Sequence, residues 1–237
     1  MFKTLVKKAF NSFGIDIVKK SKSPSHSFLG LKQLPIKTII DIGANKGQFA
    51  SEVSKVFPQA AIYCFEPQPK PFTELNLWAE KQSNRKIKTY NLALGETEGF
   101  ADFIEHTDHS PSSSFLKTTE VCEGYYPVTK GQKQIQVKVT TLDQWFKDSI
   151  GSLEQDILLK LDVQGYEDRV IRGGIEIFGK SKACLLEVNL DGLYKDQATF
   201  KDISFMLYDL GYKYGGNLNQ TYAEDGHVIY ADAVFVK

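Results

Sequence analysis

The chain has 237 residues, 42% hydrophobic and 24% charged, which is enough apolar material for one sizeable core in an ordinary water-borne domain. Lysine plus arginine and aspartate plus glutamate number 29 each, so no overall field draws the molecule to nucleic acid, and a charged partner must be met by a local patch. Cys64, Cys122 and Cys184 are odd in number and far apart, which excludes a disulfide framework or a zinc motif and reads as three small core residues. No apolar run approaches the ~20 residues of a membrane span, and Lys3, Lys7 and Lys8 interrupt any signal-peptide core, so the expected location is the cytoplasm.

Residues 1–20 place Phe2, Leu5, Val6, Ala9, Phe10 and Phe13 on one helical face with Lys3, Lys7 and Lys8 largely off it. Such a basic amphipathic helix either packs on its own domain or lies peripherally on the inner face of an anionic membrane. Residues 21–35 are polar and proline-broken, a surface linker that sets 1–35 apart from a main domain at 36–237. That domain opens on a β-branched run, Ile36 to Ile42, ended by Gly43. From Gly47 onward Phe49, Ala50, Val53, Val56 and Phe57 recur at helical spacing. Ala60 to Phe65 is a second buried strand closing on Glu66 and Pro67, a helix follows over 69–81, and Ile87 to Leu94 is a third strand. Strand, helix, strand, helix, strand is the signature of a parallel sheet with crossover connections.

From about 96 to 139 the pattern loosens: a strand at Phe100 to Ile104, a turn-rich Ser110-Pro-Ser-Ser-Ser, and an alternating strand at Gln134 to Val139. This reads as an insertion at the sheet edge, of the length that makes a lid or binding loop. Thr141-Leu-Asp-Gln144 matches a capping box at the start of a short helix, which makes Asp143 structural. Asp156 to Leu161 is a fourth buried strand ending on Asp162, a helix is expected over 166–178, and Ala183 to Val188 is a fifth strand carrying Glu187. A helix at 198–210, a short strand at 212–214 and a final apolar strand at 228–236 complete a doubly wound α/β sheet.

Ligands of such sheets bind outside the carboxyl ends of the strands. The residues collected there are Asp41, Gly43, Asn45 and Gly47 of the first turn, then Glu66, Asn91, Ala93, Asp162 and Glu187. So many carboxylates disfavour a polyphosphate ligand, and the absence of a Walker motif excludes a P-loop enzyme. The dinucleotide fingerprint requires glycine where Asn45 stands, so the turn suits a smaller, less anionic ligand, while Glu66 is placed to take ribose hydroxyls. A nucleoside with a short zwitterionic tail satisfies both, and S-adenosylmethionine fits: its carboxylate on the turn amides, its cationic centres near Asp41, its ribose on Glu66. A nicotinamide-dependent oxidoreductase with a degenerate glycine turn, and a non-catalytic module binding adenosine-containing ligands, remain open. Within the insertion His106-Thr-Asp-His109 supplies too few ligands for a metal site. His109, Ser113 and Ser114 reach cofactor or acceptor only if the insertion closes over the crevice.

Taken in order, DIGANKG at 41–47, CFEP around Glu66, NLALG at 91–95, TLD at 141–143 and LLKLDVQGYE at 158–167 resemble the FkbM-family methyltransferases over about residues 36–235. The resemblance implies a mostly parallel seven-stranded sheet of the Rossmann-like class I methyltransferase fold. It also implies S-adenosylmethionine as cofactor, S-adenosylhomocysteine as product, and a hydroxyl acceptor on a sugar, glycan or natural product rather than a nucleic acid. Gln164 departs from the glutamate common at that position, which argues against a base there, while Asp162 and Glu167 match. An alcohol needs a general base, for which Asp162 ranks first and Glu187 second. Glu167, in the first turn of a helix, is expected to be kept ionised by the dipole and to act as a cap as readily as a catalyst.

Overall fold

The computed structural model describes residues 28–82, 85–149 and 153–237, together with Val6, Phe10, Ser12 and Phe13. Apart from these four positions the amphipathic helix expected over 1–20, with its membrane contact, lies outside the described residues. None of the described helices is long and apolar enough to cross a membrane.

From residue 38 on, the described residues form ten strands and seven α-helices. They are β1 (Thr38–Ile42), α1 (Gln48–Val56), β2 (Ala61–Phe65), α2 (Pro69–Glu80), β3 (Ile87–Tyr90), β4 (Ala93–Leu94) and β5 (Gly99–His106). After these come α3 (Glu120–Tyr125), β6 (Gln132–Thr140), α4 (Leu142–Ser149), β7 (Ile157–Leu161), α5 (Glu167–Arg172) and α6 (Ile175–Lys180). The chain closes with β8 (Ala183–Asn189), α7 (Phe200–Asp209), β9 (Lys213–Tyr222) and β10 (Val228–Val236). The main sheet has seven strands in the order β3-β2-β1-β7-β8-β10-β9. Five are parallel, and β10 runs antiparallel to both β8 and β9. Strand order reverses between β1 and β7, which places a ligand crevice outside their carboxyl ends.

Alternation along the strands divides the core. Ile40, Ile42, Leu159 and Leu161 face α4 to α7, meeting Trp145, Val170, Phe178 and Leu207. Ile39, Cys64 and Leu158 face α1 and α2, meeting Val53 and Leu75. With both faces covered, β1, β2 and β7 are buried at every position, which explains their unbroken apolar runs.

The structure departs from the sequence reading in four places. Phe28–Gln33, expected as surface linker, forms short 3-10 turns joined at Leu29 and Gly30, whose φ are 46° and 86°, and Leu31 is wholly buried in the core. The third strand splits at Asn91 and Leu92. Ile87–Tyr90 stays in the main sheet, while Ala93–Leu94 pairs in parallel with β6 in a second sheet of order β4-β6-β5. The insertion is built on an antiparallel β5–β6 pair, at the strands expected over 100–104 and 134–139. The helix expected over 166–178 breaks at Gly173 and Gly174. A Cβ on Gly173 would lie 1.9 Å from the carbonyl oxygen of Gly95, so the chain there passes too close to β4 for a side chain. Finally, β9 runs to Tyr222; its polar, glycine-bearing sequence is that of an edge strand hydrogen-bonded on one side only.

Only half the capping box forms. The Gln144 amide N–H donates to Thr141 Oγ1, but the Gln144 side chain turns to Asp148. Asp143 instead accepts from the backbone N–H groups of Glu176 and Ile177, capping α6 from a neighbouring helix.

Candidate active site

The β1–α1 turn is shaped by backbone that few residues tolerate. Gly43 has φ 78°, and a Cβ there would stand 1.9 Å from the carbonyl oxygen of Asp162, so the ends of β1 and β7 can meet only at glycine. Asn45 is left-handed at φ 46°, a conformation asparagine tolerates better than most, which is how it replaces a fingerprint glycine. Gly47 permits the close passage of α2: Leu75 and Trp78 lie 3.0 Å from where its Cβ would be.

The turn amides are spent inside the protein. Gly43 and Ala44 donate to the Phe65 carbonyl at 3.0 and 2.9 Å, and Asn45 donates to Glu66 Oε2 at 2.9 Å. They are thus not available to a ligand carboxylate as the sequence reading expected. The N-terminus of α1, capped by no side chain, offers its amides instead, with Gln48 and Phe49 lining the adjacent pocket.

Two pockets flank this turn and share Gly43, Asn45, Pro111 and Asp162. The first holds about 540 Å³ of empty space between apolar walls at Leu92, Leu94, Phe103 and Phe115, with Ala93 also on its wall. Glu66 enters it almost fully buried, its Oε1 accepting from the Gln68 backbone N–H at 2.8 Å and from Gln68 Nε2 at 3.2 Å. Burial pushes this carboxyl up to about 7 despite those donors. Gln68 also lines this pocket, and its Oε1 is buried beside Glu66 with no hydrogen-bond partner among the described residues. Asn91, expected among the ligand contacts, is exposed and instead pins the end of β2, donating from Nδ2 to the carbonyls of Glu66 and Pro67.

The second pocket is acidic, lined by Glu52, Asp162, Glu187 and Asp232 with Lys160. Asp41 lies beneath it, wholly buried, with Lys160 Nζ at 3.3 Å; it faces Lys160 rather than the crevice. Lys160 also reaches Asp162 Oδ2 at 3.3 Å and donates to the Gly43 carbonyl at 3.1 Å. Burial alone would lower its ammonium, but Asp162 and Asp41 outweigh that and raise it. Burial also raises Asp41, opposed in part by Lys160.

Gln164, itself left-handed at φ 58°, joins the two candidate bases. Its Nε2 donates to Asp162 Oδ1 at 2.7 Å and to Glu187 Oε1 at 2.8 Å, and its Oε1 accepts from Tyr194 OH at 2.6 Å. A glutamate here would set three carboxylates together; the amide ties two of them instead. Burial holds Glu187 well above the ordinary carboxylate range, helped by Asp162, Glu167 and Asp232. Glu167 is buried and accepts from the N–H groups of Val163 and Gly165 at 3.0 and 3.4 Å. It secures the β7–α5 turn, and burial raises it to about 7, contrary to the expectation that the helix dipole keeps it low.

The inserted segment covers the first pocket. Ser110, Pro111, Ser113 and Phe115 line it. Asn45 Nδ2 donates to Ser110 Oγ, Gln68 Nε2 to the Ser110 carbonyl, and Ser114 Oγ to the Gln164 carbonyl at 2.8 Å. Ser113 Oγ accepts from the His106 N–H, whereas His109 is exposed, bonded through Nδ1 to Ser112 Oγ, and lines neither pocket. Lys160, Gln68, Ser110 and Pro111 were not anticipated. The available signal for Lys160 was a lone charge inside the apolar run Ile157–Leu161.

A sheet of this order, with a glycine turn after β1, an acid after β2 and an acidic pocket after β7, is the arrangement expected of an S-adenosylmethionine-dependent methyltransferase. The model for the Methyltransferase FkbM domain matches residues 41–214, and the chain belongs to that family. It is 25% identical over 199 residues to the 2-O-methyltransferase NoeI of Sinorhizobium fredii, spanning 82% of this chain and 80% of that protein. It is 28% identical over 144 residues to Methyltransferase 1 of Beauveria bassiana, 57% of each. The solved structure of TehB from Haemophilus influenzae aligns at a TM-score of 0.46 and 10% identity over 98% of this chain and 66% of that one.

The cofactor is S-adenosylmethionine and the product S-adenosylhomocysteine, and the residues fit both. The first pocket offers apolar walls to a base, the remaining lone pair of Glu66 Oε2 to a ribose hydroxyl, and the unpartnered Gln68 Oε1 to an N–H or O–H donor. The acidic pocket suits cationic centres. One expected result follows from Glu66. A ribose diol donates to an ionised carboxylate, so binding of S-adenosylhomocysteine should strengthen as pH rises from about 5.5 through 7 and then level off. Calorimetry across that range should show the rise flattened in Glu66→Gln, and Glu66→Ala should cost about 1–3 kcal/mol of binding. Unchanged affinity in both variants would remove Glu66 from the site.

Proposed function

We propose that the chain is an O-methyltransferase acting on a hydroxyl of a sugar, glycan or natural product, with Asp162 as general base. The observation that carries this reading is the Gln164 bridge, which sets Asp162 and Glu187 side by side at the mouth of a pocket that adjoins the one holding Glu66. The bound cofactor supplies a methyl group on a cationic sulfur. The protein's part is to hold an acceptor oxygen in line with it, exclude water and take the hydroxyl proton. Asp162 is suited to the last task because its side chain is 37% exposed toward the pocket and Gln164 fixes its orientation. Burial and three neighbouring carboxylates push Glu187 upward, and its Oε1 is already taken up by Gln164, which favours Asp162 over it as the base. The cover formed by Ser110, Pro111, Ser113 and Phe115 narrows the way into the first pocket, which is what exclusion of water requires. NoeI, by its name, methylates at a 2-oxygen, which favours oxygen as the acceptor atom here.

The test is calorimetry with S-adenosylhomocysteine and nicotinamide dinucleotides, followed by methyl transfer to a panel of hydroxylated and amine acceptors. The expected results are binding of the first alone and methyl transfer to a hydroxyl. Failure to bind S-adenosylhomocysteine would sink the reading, and transfer to nitrogen alone would replace it.

A further inference from the structure

Between α3 and the turn joining β9 to β10 lies an open groove of about 1270 Å³, apart from both pockets of the active site. Tyr125, Tyr126 and Tyr222 line it, and Glu224 and Asp225 stand at its rim with no lysine or arginine among its described walls. Its sides are braced. Asp191 accepts from Tyr125 OH at 3.0 Å and pairs with His227 Nε2 at 2.9 Å, joining the insertion to the hairpin turn. Below it Cys122, Leu193, Tyr194 and Ile229 form a small core of their own.

Two observations connect the groove to the site of methyl transfer. Tyr194, in the core beneath it, is the residue whose hydroxyl donates to Gln164, so one side chain separates the groove's support from the amide that ties Asp162 to Glu187. In addition, Asn219 lines the acidic pocket and Thr221 lines the groove. These residues lie two apart on β9 in unbroken register with β10, hence on one face of the strand and roughly 7 Å from each other. That is a step of about one sugar ring along β9.

Resting on the proposed function, we infer that the groove is a second subsite for the acceptor, taking a neutral or amino-bearing sugar ring next to the one whose hydroxyl is methylated. Flat tyrosine faces receive the C–H surface of a pyranose, and carboxylates at the rim accept its hydroxyl or ammonium protons. The same acidic rim repels a uronate or a phosphorylated ring. Tyr222, 59% exposed, is a contact whose truncation spares the fold.

Saturation-transfer NMR and calorimetry on the full chain, with maltotriose, a glucosamine trisaccharide and a galacturonate trisaccharide, test this beside a parallel titration with S-adenosylhomocysteine. The expected result is that the neutral or the amino trisaccharide binds and the galacturonate does not. Tyr222→Ala should weaken that binding at least fivefold and leave S-adenosylhomocysteine affinity unchanged. Absence of binding by both uncharged and amino saccharides, equal binding of the galacturonate, or indifference to Tyr222→Ala would each overturn the assignment. Loss of S-adenosylhomocysteine binding in the wild type would strike the methyltransferase reading alone, because the saccharide titration reads the groove independently.

Discussion

Lys160→Met should destabilise the protein by about 3–5 kcal/mol, the cost of leaving a buried charge without its partner. Asp41 is wholly buried with Lys160 at 3.3 Å, and the same ammonium lies 3.3 Å from Asp162 and holds the Gly43 carbonyl. Removing it leaves two carboxylates facing one another with no cation between them. In a chain of this size the loss corresponds to a fall of roughly 6–20 °C in melting temperature. The variant should also acquire a distinctive pH dependence. Burial already raises Asp41, and without Lys160 it rises further. The folded form then binds a proton that the unfolded form releases near the ordinary aspartate value. Stability therefore falls as pH climbs through that window, more steeply than in the wild type. Asp41→Asn combined with Lys160→Met should recover most of the loss and flatten the pH response. A single variant as stable as the wild type, or one equally stable at pH 5 and pH 8, would show that the buried pair does not hold β1 to β7.

How much of this was visible in the residues depended on where each signal lay. Strands buried on both faces announce themselves as unbroken apolar runs, so β1, β2, β7 and β8 and the acids that end them could be read directly. The carboxyl ends of β1, β2 and β7 bring Gly43, Asn45, Glu66 and Asp162 to one pocket, where Ala93 of β4 joins them. Properties set by partners distant in sequence could not be read. Asp41 looked like a ligand for a cation because nothing local reveals that Lys160, well over a hundred residues on, is that cation. Asn91 looked like a ligand contact because its grip on the Glu66 and Pro67 carbonyls depends on the pairing of β2 with β3. The helix break at Gly173 needed the approach of Gly95, and β9 hid because an edge strand needs no apolar alternation. His109 drew notice as an imidazole in a loop, yet the neighbouring serines and Pro111, less remarkable as chemistry, are what the loop lays over the crevice.

Asp162→Asn should lower turnover by about 10²–10⁴-fold, the span that positioned general bases contribute, while leaving the fold and S-adenosylhomocysteine affinity close to wild type. The charge count explains why the fold survives. Lys160 faces two carboxylates, Asp41 and Asp162, so neutralising Asp162 leaves one cation with its buried partner. The same count predicts the opposite of Lys160→Met, where stability is lost. Gln164 offers a control on the assignment. Gln164→Leu removes the donor shared by Asp162 and Glu187 without removing either acid, so it should reduce turnover less than Asp162→Asn does. Gln164→Glu places a third carboxylate against them and disfavours ionisation of all three, so its pH–rate profile should shift upward on the acid limb. If Asp162→Asn turns over at the wild-type rate, the base lies elsewhere. If Glu187→Gln alone abolishes turnover at a pH where Asp162→Asn does not, the two acids exchange roles, and the proton leaves the acceptor toward β8 rather than β7.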